Sequence, residues 1–122
     1  MMHFFLLYRW NSPVTIEENV TYFQSFGFEK DGSFKIEISN TSLKNVTVGL
    51  TSITPVGNLM AEYNYCTGNK SNYDFSKDLL LEHETSFEGV IKAMKIYYPF
   101  VAQCTSQKAE HLTVNFTFLN PN

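Results

Sequence analysis

The sequence predicts an all-β chain folded as an antiparallel β-sandwich, with at most one short helix. Three observations predict it. Aromatic residues make up 16% of the chain, with 11 Phe and 7 Tyr, against only 17% charged residues. Aromatic and β-branched side chains suit a pleated, half-buried surface. Several short stretches alternate apolar with polar residues, which is the period of a strand. Turn signals separate those stretches at hairpin spacing. The 122 residues suit one domain, and a hydrophobic content of 43% is far above that of a disordered tail.

Each element follows in order. Residues 1–20 read as an N-terminal segment, either a signal remnant or a first strand. Met1 to Leu7 is apolar but short for a complete signal peptide, without a basic start or a small-residue cleavage site. Asn11-Ser-Pro-Val14 is a breaker and predicts a boundary. The sandwich domain is then expected over 21–122. Thr21 to Phe28 is aromatic and reads as a strand. Asp31-Gly32 predicts a tight turn joining two strands as a hairpin. Phe34, Ile36 and Ile38 alternate with Lys35, Glu37 and Ser39, a strand with one wet face.

Val46, Val48 and Leu50 alternate with Asn45, Thr47 and Thr51, so Asn45 falls on the polar face. Pro55-Val-Gly57 is a turn, and Leu59 to Cys66 a strand with Leu59, Ala61, Tyr63 and Tyr65 on one side. That phase puts Cys66 on the other face or beyond a bulge. Thr67 to Ser76 is polar and loop-like. Phe87, Val90, Ile91, Met94 and Tyr98 follow helical spacing, with Thr85 and Glu88 as a capping box. Ile96 to Val101 nevertheless has strand composition. Tyr98, Phe100, Ala102 and Cys104 share a face there, which turns Cys104 inward. Leu112, Val114, Phe116 and Phe118 alternate with Thr113, Asn115 and Thr117, so Asn115 points outward, and Asn120-Pro121 ends the element.

Composition excludes several functions. Net charge is −3 and the Lys and Arg residues form no basic face, so nucleic-acid binding is not expected. No apolar run approaches the ~20 residues that span a bilayer as a helix. His3, His83 and His111 lie in separate regions, without metal-ligand spacing. Glu17-Glu18 and Glu82-His83-Glu84 put neighbours on opposite faces of a strand, as solvated charges do. No phosphate loop or nucleophile elbow is present. The chain is therefore expected to be non-catalytic, with no metal or cofactor.

Asn-x-Ser/Thr triplets occur at Asn19, Asn40, Asn45, Asn69 and Asn115, where roughly two would arise by chance. The excess points to glycan acceptors and passage through the endoplasmic reticulum. The two cysteines, Cys66 and Cys104, suffice for one disulfide, although the count alone leaves pairing open. If they pair, the crosslink stabilises the fold by roughly 3–4 kcal/mol. Both signs belong to oxidising compartments. Tyr63, Tyr65, Tyr73, Tyr97 and Tyr98 are candidates to line a sugar or lipid site, against the plainer alternative of cross-strand packing.

Several strings occur together in a telling order. They are Phe26-Gly-Phe-Glu-Lys-Asp-Gly-Ser-Phe-Lys-Ile-Glu-Ile-Ser-Asn40, then Asn64-Tyr-Cys66, then Tyr97-Tyr-Pro-Phe-Val-Ala-Gln-Cys104, then Leu112-Thr-Val-Asn-Phe-Thr-Phe-Leu-Asn-Pro121. Over roughly residues 21 to 122 this order resembles the luminal domain of the GOLD-domain seven-transmembrane family, which includes the lung seven-transmembrane and intimal-thickness-related receptors. The resemblance implies a GOLD-like β-sandwich with the family's two cysteines at Cys66 and Cys104. It implies a glycoprotein domain in the Golgi lumen or outside the plasma membrane, linked to trafficking or signal transduction and without enzymatic activity. Its partner would be a protein or small ligand. Its membrane attachment would come from a downstream transmembrane region absent from this chain. The alternatives are a secreted lipid- or carbohydrate-binding sandwich and, third, a single-pass cargo-receptor GOLD domain.

Overall fold

The structure, a computed structural model, describes residues 5–16, 20–53, 65–66, 73–104 and 110–121. Among the described residues nine strands run in chain order: β1 (Phe5–Ile16), β2 (Val20–Tyr22), β3 (Phe26–Phe28), β4 (Ser33–Ser39), β5 (Asn45–Thr51), β6 (Phe75–Leu80), β7 (Ser86–Val90), β8 (Lys95–Ala102) and β9 (Glu110–Pro121). They form two antiparallel sheets. The first has the order β1-β9-β4-β7. The second has the order β2-β8-β5-β6, with β3 also on β8. The chain is an all-β antiparallel sandwich, and no helix occurs among the described residues.

Alternation builds the core. Phe34, Ile36 and Ile38 of β4 and Leu112, Val114, Phe116 and Phe118 of β9 turn one face inward. Val46, Val48 and Leu50 of β5, with Tyr97 and Val101 of β8, meet them from the second sheet. Burying one such side chain contributes roughly 1.5–3 kcal/mol. The rings interlock edge-on: Phe28 lies 5.0 Å from Phe118, and Phe23 lies 5.1 Å from Phe116.

Several sequence expectations need correction. The breaker at Asn11-Ser-Pro13 marks no boundary, because β1 runs through it and Pro13 pairs opposite Thr113. β1 pairs on one side only among the described strands, and an edge strand tolerates a residue without an N–H. The aromatic stretch 21–28 divides into β2 and β3 around residues 23–25. Asp31 does turn the chain, with φ at 71°, but it joins no hairpin. β3 pairs with β8, whereas β4 pairs with β7 and β9. The turn is instead held by Ile91: Asp31 N donates to Ile91 O at 2.9 Å, and Ile91 N donates to Gly32 O at 2.7 Å. It is a corner between sheets.

The helix expected around residues 87–98 is absent. Ser86 to Val90 pairs with β4 residue by residue, and tertiary pairing overrides a weak local preference. The helical stripe is not a buried face either, since Ile91 is buried while Val90 and Met94 are 57% and 75% exposed. The loop expected over 67–76 ends early, because β6 begins at Phe75. The Pro55 turn and the strand from Leu59 lie outside the described residues, apart from Tyr65 and Cys66, which sit in a turn.

Candidate functional site

The second sheet has an outer face, and a second layer covers part of it. Along β8, Tyr97 and Val101 join the main core, so Phe100 and Ala102 point the opposite way. There they pack with Val20, Tyr65 and Tyr73 in a separate buried cluster. Tyr65 and Tyr73 stand 5.2 and 4.8 Å from the Phe100 ring and 5.1 Å from each other. The Tyr22 hydroxyl hydrogen-bonds that of Tyr73. Burial raises the Tyr73 hydroxyl above its ordinary value, and the bond to Tyr22 adds to the shift. Burial likewise raises Tyr22.

This layer explains why the polar side of β5 is not wet. Thr47 and Thr51 are buried with Val46, Val48 and Leu50. Thr47 donates its hydroxyl proton to the Asp78 carboxylate on β6. Gly49 lies directly under the Phe100 ring, where a Cβ would meet Cε1 at 2.8 Å and Phe75 O at 1.9 Å.

A disulfide joins Cys66 to Cys104, with Cα atoms 5.3 Å apart, and it closes a separation of 38 residues. It fastens the Tyr65–Cys66 turn over this outer layer. Cys104 is therefore exposed rather than turned into the core, because the shared face of Phe100, Ala102 and Cys104 is the outer one. A crosslink of this kind is characteristic of an oxidising or extracellular compartment.

Beside the disulfide lies a depression of about 280 Å³. Asn45 and Thr47 line it from β5, Asp78 and Leu80 from β6, and Tyr65 and Gln103 from the flanking segments. Gln103 Nε2 donates to Asn45 O at 2.9 Å and to Asn45 Oδ1 at 2.7 Å.

The candidate aromatics separate rather than converge. Tyr65 and Tyr73 belong to the outer layer, Tyr97 belongs to the main core, and Tyr98 is half-buried opposite Thr51. The Tyr97 hydroxyl donates to Ala93 O at 3.2 Å. Tyr63, Asn19 and Asn69 lie outside the described residues. Asn40 is exposed in the left-handed region, φ 53°, and its Nδ2 donates to Thr113 Oγ1 at 3.2 Å. Asn115 is half-buried on β9, with Nδ2 donating to Glu37 Oε1 at 3.5 Å.

Three engaged residues escape a reading of the sequence. Tyr22 and Gln103 carry no motif, and their roles depend on partners 51 and 58 positions away. Asn120 looks like a strand terminator, yet it is 5% exposed and binds two backbone groups. Its Oδ1 accepts from Glu29 N at 2.9 Å and its Nδ2 donates to Gly27 O at 2.7 Å. His83 and His111 are both exposed, and Glu84 is ion-paired with Lys77 at 2.9 Å. Among the described residues no cluster of His, Cys, Asp and Glu has the makings of a metal site. At the opposite end of the second sheet from the disulfide, Ile96 is 60% exposed and lies across from Gly27, in the same stretch as the exposed Val90 and Met94.

No protein-family model matches the chain, and no curated protein matches it in sequence. Among solved structures, the fold is similar to that of PliG from Aeromonas hydrophila, a periplasmic lysozyme inhibitor of g-type lysozyme. The TM-score is 0.56 at 10% identity, over 92% of this chain and 85% of that one. The likeness supports the β-rich fold.

Proposed function

We propose that this chain is a non-catalytic recognition domain acting on the luminal or extracellular side of a membrane. The observation that carries the reading is the Cys66–Cys104 disulfide, laid across the outside of a sandwich whose interior its own side chains fill. Phe28, Phe34, Phe116 and Phe118 are all buried between the sheets. That favours recognition through the surface over uptake of a lipid into the core. The exposed Val90, Met94 and Ile96 supply apolar contact of the kind a protein interface needs. By its resemblance to the GOLD-domain seven-transmembrane family, the natural setting is a receptor-like protein of the Golgi or cell surface.

Two measurements test this reading. Binding of the oxidised chain to cells of its own source is expected to saturate and to disappear once those cells are shaved with protease. The double substitution Met94→Asp, Ile96→Asp is expected to weaken it at least ~10-fold, the loss of an apolar anchor. Non-saturable binding, or an unaffected double variant, would count against the reading. Two free thiols in the chain isolated from its source would remove the compartment.

The fold likeness to PliG supports a second reading, a protein inhibitor of a cell-wall hydrolase. Titration into a g-type lysozyme assay is expected to stop lysis near one equivalent. Undiminished lysis at excess ends that reading.

A further inference from the structure

The described Asn-x-Ser/Thr sites differ in how the fold uses the asparagine amide. At Asn40 and Asn115 the nitrogen Nδ2, the atom a glycan attaches to, is a donor within the protein, to Thr113 and to Glu37. At Asn45 the bonds run the other way. Gln103 holds both oxygens of Asn45, Oδ1 and the backbone O, and so turns Nδ2 away from itself. Asn45 is exposed and borders the depression beside the disulfide. Directly across the β5–β6 ladder from Asn45 stands Leu80, a large apolar side chain left 56% exposed on the same outer face.

We propose that Asn45 carries an N-linked glycan whose first sugar lies along this depression and covers Leu80. An amide-linked N-acetylhexosamine has an apolar ring face and acetyl methyl to set against Leu80. Its hydroxyls face Asp78 and Tyr65 on the polar side of the depression. The attachment is an ordinary transfer to the unfolded chain. The anomeric carbon leaves a lipid-linked diphosphate donor: its C1–O bond breaks, the C1–Nδ2 bond forms, Nδ2 gives up one proton, and the lipid diphosphate departs with the bonding electrons. Nδ2 keeps one proton, and Oδ1 remains free to accept from Gln103. The fold then accommodates the sugar at Asn45 without breaking a protein hydrogen bond. At Asn115 the same addition would crowd the Glu37 contact on a central strand.

The inference rests on the oxidising-compartment reading above, and the two fail differently. The full chain is led into the secretory pathway of eukaryotic cells and its glycans are released enzymatically in heavy-oxygen water, which marks each formerly occupied asparagine as aspartate. Asn45 is expected to be marked, Asn45→Gln to lose that glycan, and Thr47→Ser to keep it. With the glycan trimmed to one sugar, magnetisation transfer is expected between its acetyl methyl and the Leu80 methyls. Removal of that last sugar is expected to shift Tm downward. A bare Asn45 overturns the proposal, as does an occupied Asn45 without contact to Leu80. A bare Asn45 beside an intact Cys66–Cys104 crosslink leaves the compartment reading standing, whereas free thiols in the chain from its own source remove that reading.

Discussion

Asn120 ties the last strand to the first sheet corner with one carboxamide. It is buried, it accepts from Glu29 and it donates to Gly27. Substituting Asn120→Ala removes two hydrogen bonds, to Glu29 N–H and Gly27 C=O, each contributing roughly 0.5–1.5 kcal/mol. A lower urea midpoint at unchanged slope is the expected result. The Tyr22–Tyr73 pair makes a prediction in pH. Burial holds both phenols above the ordinary value near 10. A raised folded-state value means that their contribution is fully present below the unfolded phenol's value. It is lost as pH rises from there toward the folded value. Stability is therefore expected to be flat through neutral pH and to fall from about pH 10 upward. The tyrosinate absorbance should appear together with unfolding. Tyr73→Phe is expected to make that alkaline fall shallower, and an unchanged pH profile would contradict the linkage.

At the scale of the strand, β5 shows what alternation conveys and what it omits. The inward set Val46, Val48 and Leu50 is plain in the sequence, and so are Phe34 to Ile38 and Leu112 to Phe118. Their partners are local in pattern, since every second residue is apolar. The covering of the other face of β5 is not legible, because it depends on Phe100, Tyr65 and Tyr73 arriving from distant segments. Gly49 records that covering. Gly49→Ala places a methyl on Phe75 O and the Phe100 ring, with an expected cost of about 3 kcal/mol, read as loss of urea resistance. The segment 85–94 misled for a related reason. Its helical spacing and capping residues are real local signals, but Ser86–Val90 completes an edge of the first sheet. The Asp31-Gly32 turn was legible as a turn. Its destination was not, because the hydrogen bonds that direct it come from Ile91.

For the molecule as a whole, the disulfide is the principal crosslink. Replacing both Cys66 and Cys104 by Ser removes a constraint across 38 residues. The expected loss is about 4 kcal/mol in the chain-entropy model, measured as a drop in thermal and chemical stability with the first sheet still formed. The count of two cysteines made one disulfide possible in the sequence and left the pairing open. Which face they staple was not legible, because the outer layer has no signature of its own. The candidate tyrosines were legible as residues and illegible as a group: the fold sends the four described ones to two separate clusters and one half-buried position.

The pairing of β1 with β9 puts Phe5 opposite Pro121, and β4 takes the other side of β9. The central strand of the first sheet is thus the last of the described strands to be made. At synthesis rates of about 5–20 residues per second, β4 waits on the order of ten seconds for its neighbour. During that interval the first sheet has no middle: β4 has β7 beside it, and β1 has no partner among the described strands. The Asn40 carboxamide gains its Thr113 partner, and the Glu37 carboxylate its Asn115 partner, only when β9 arrives.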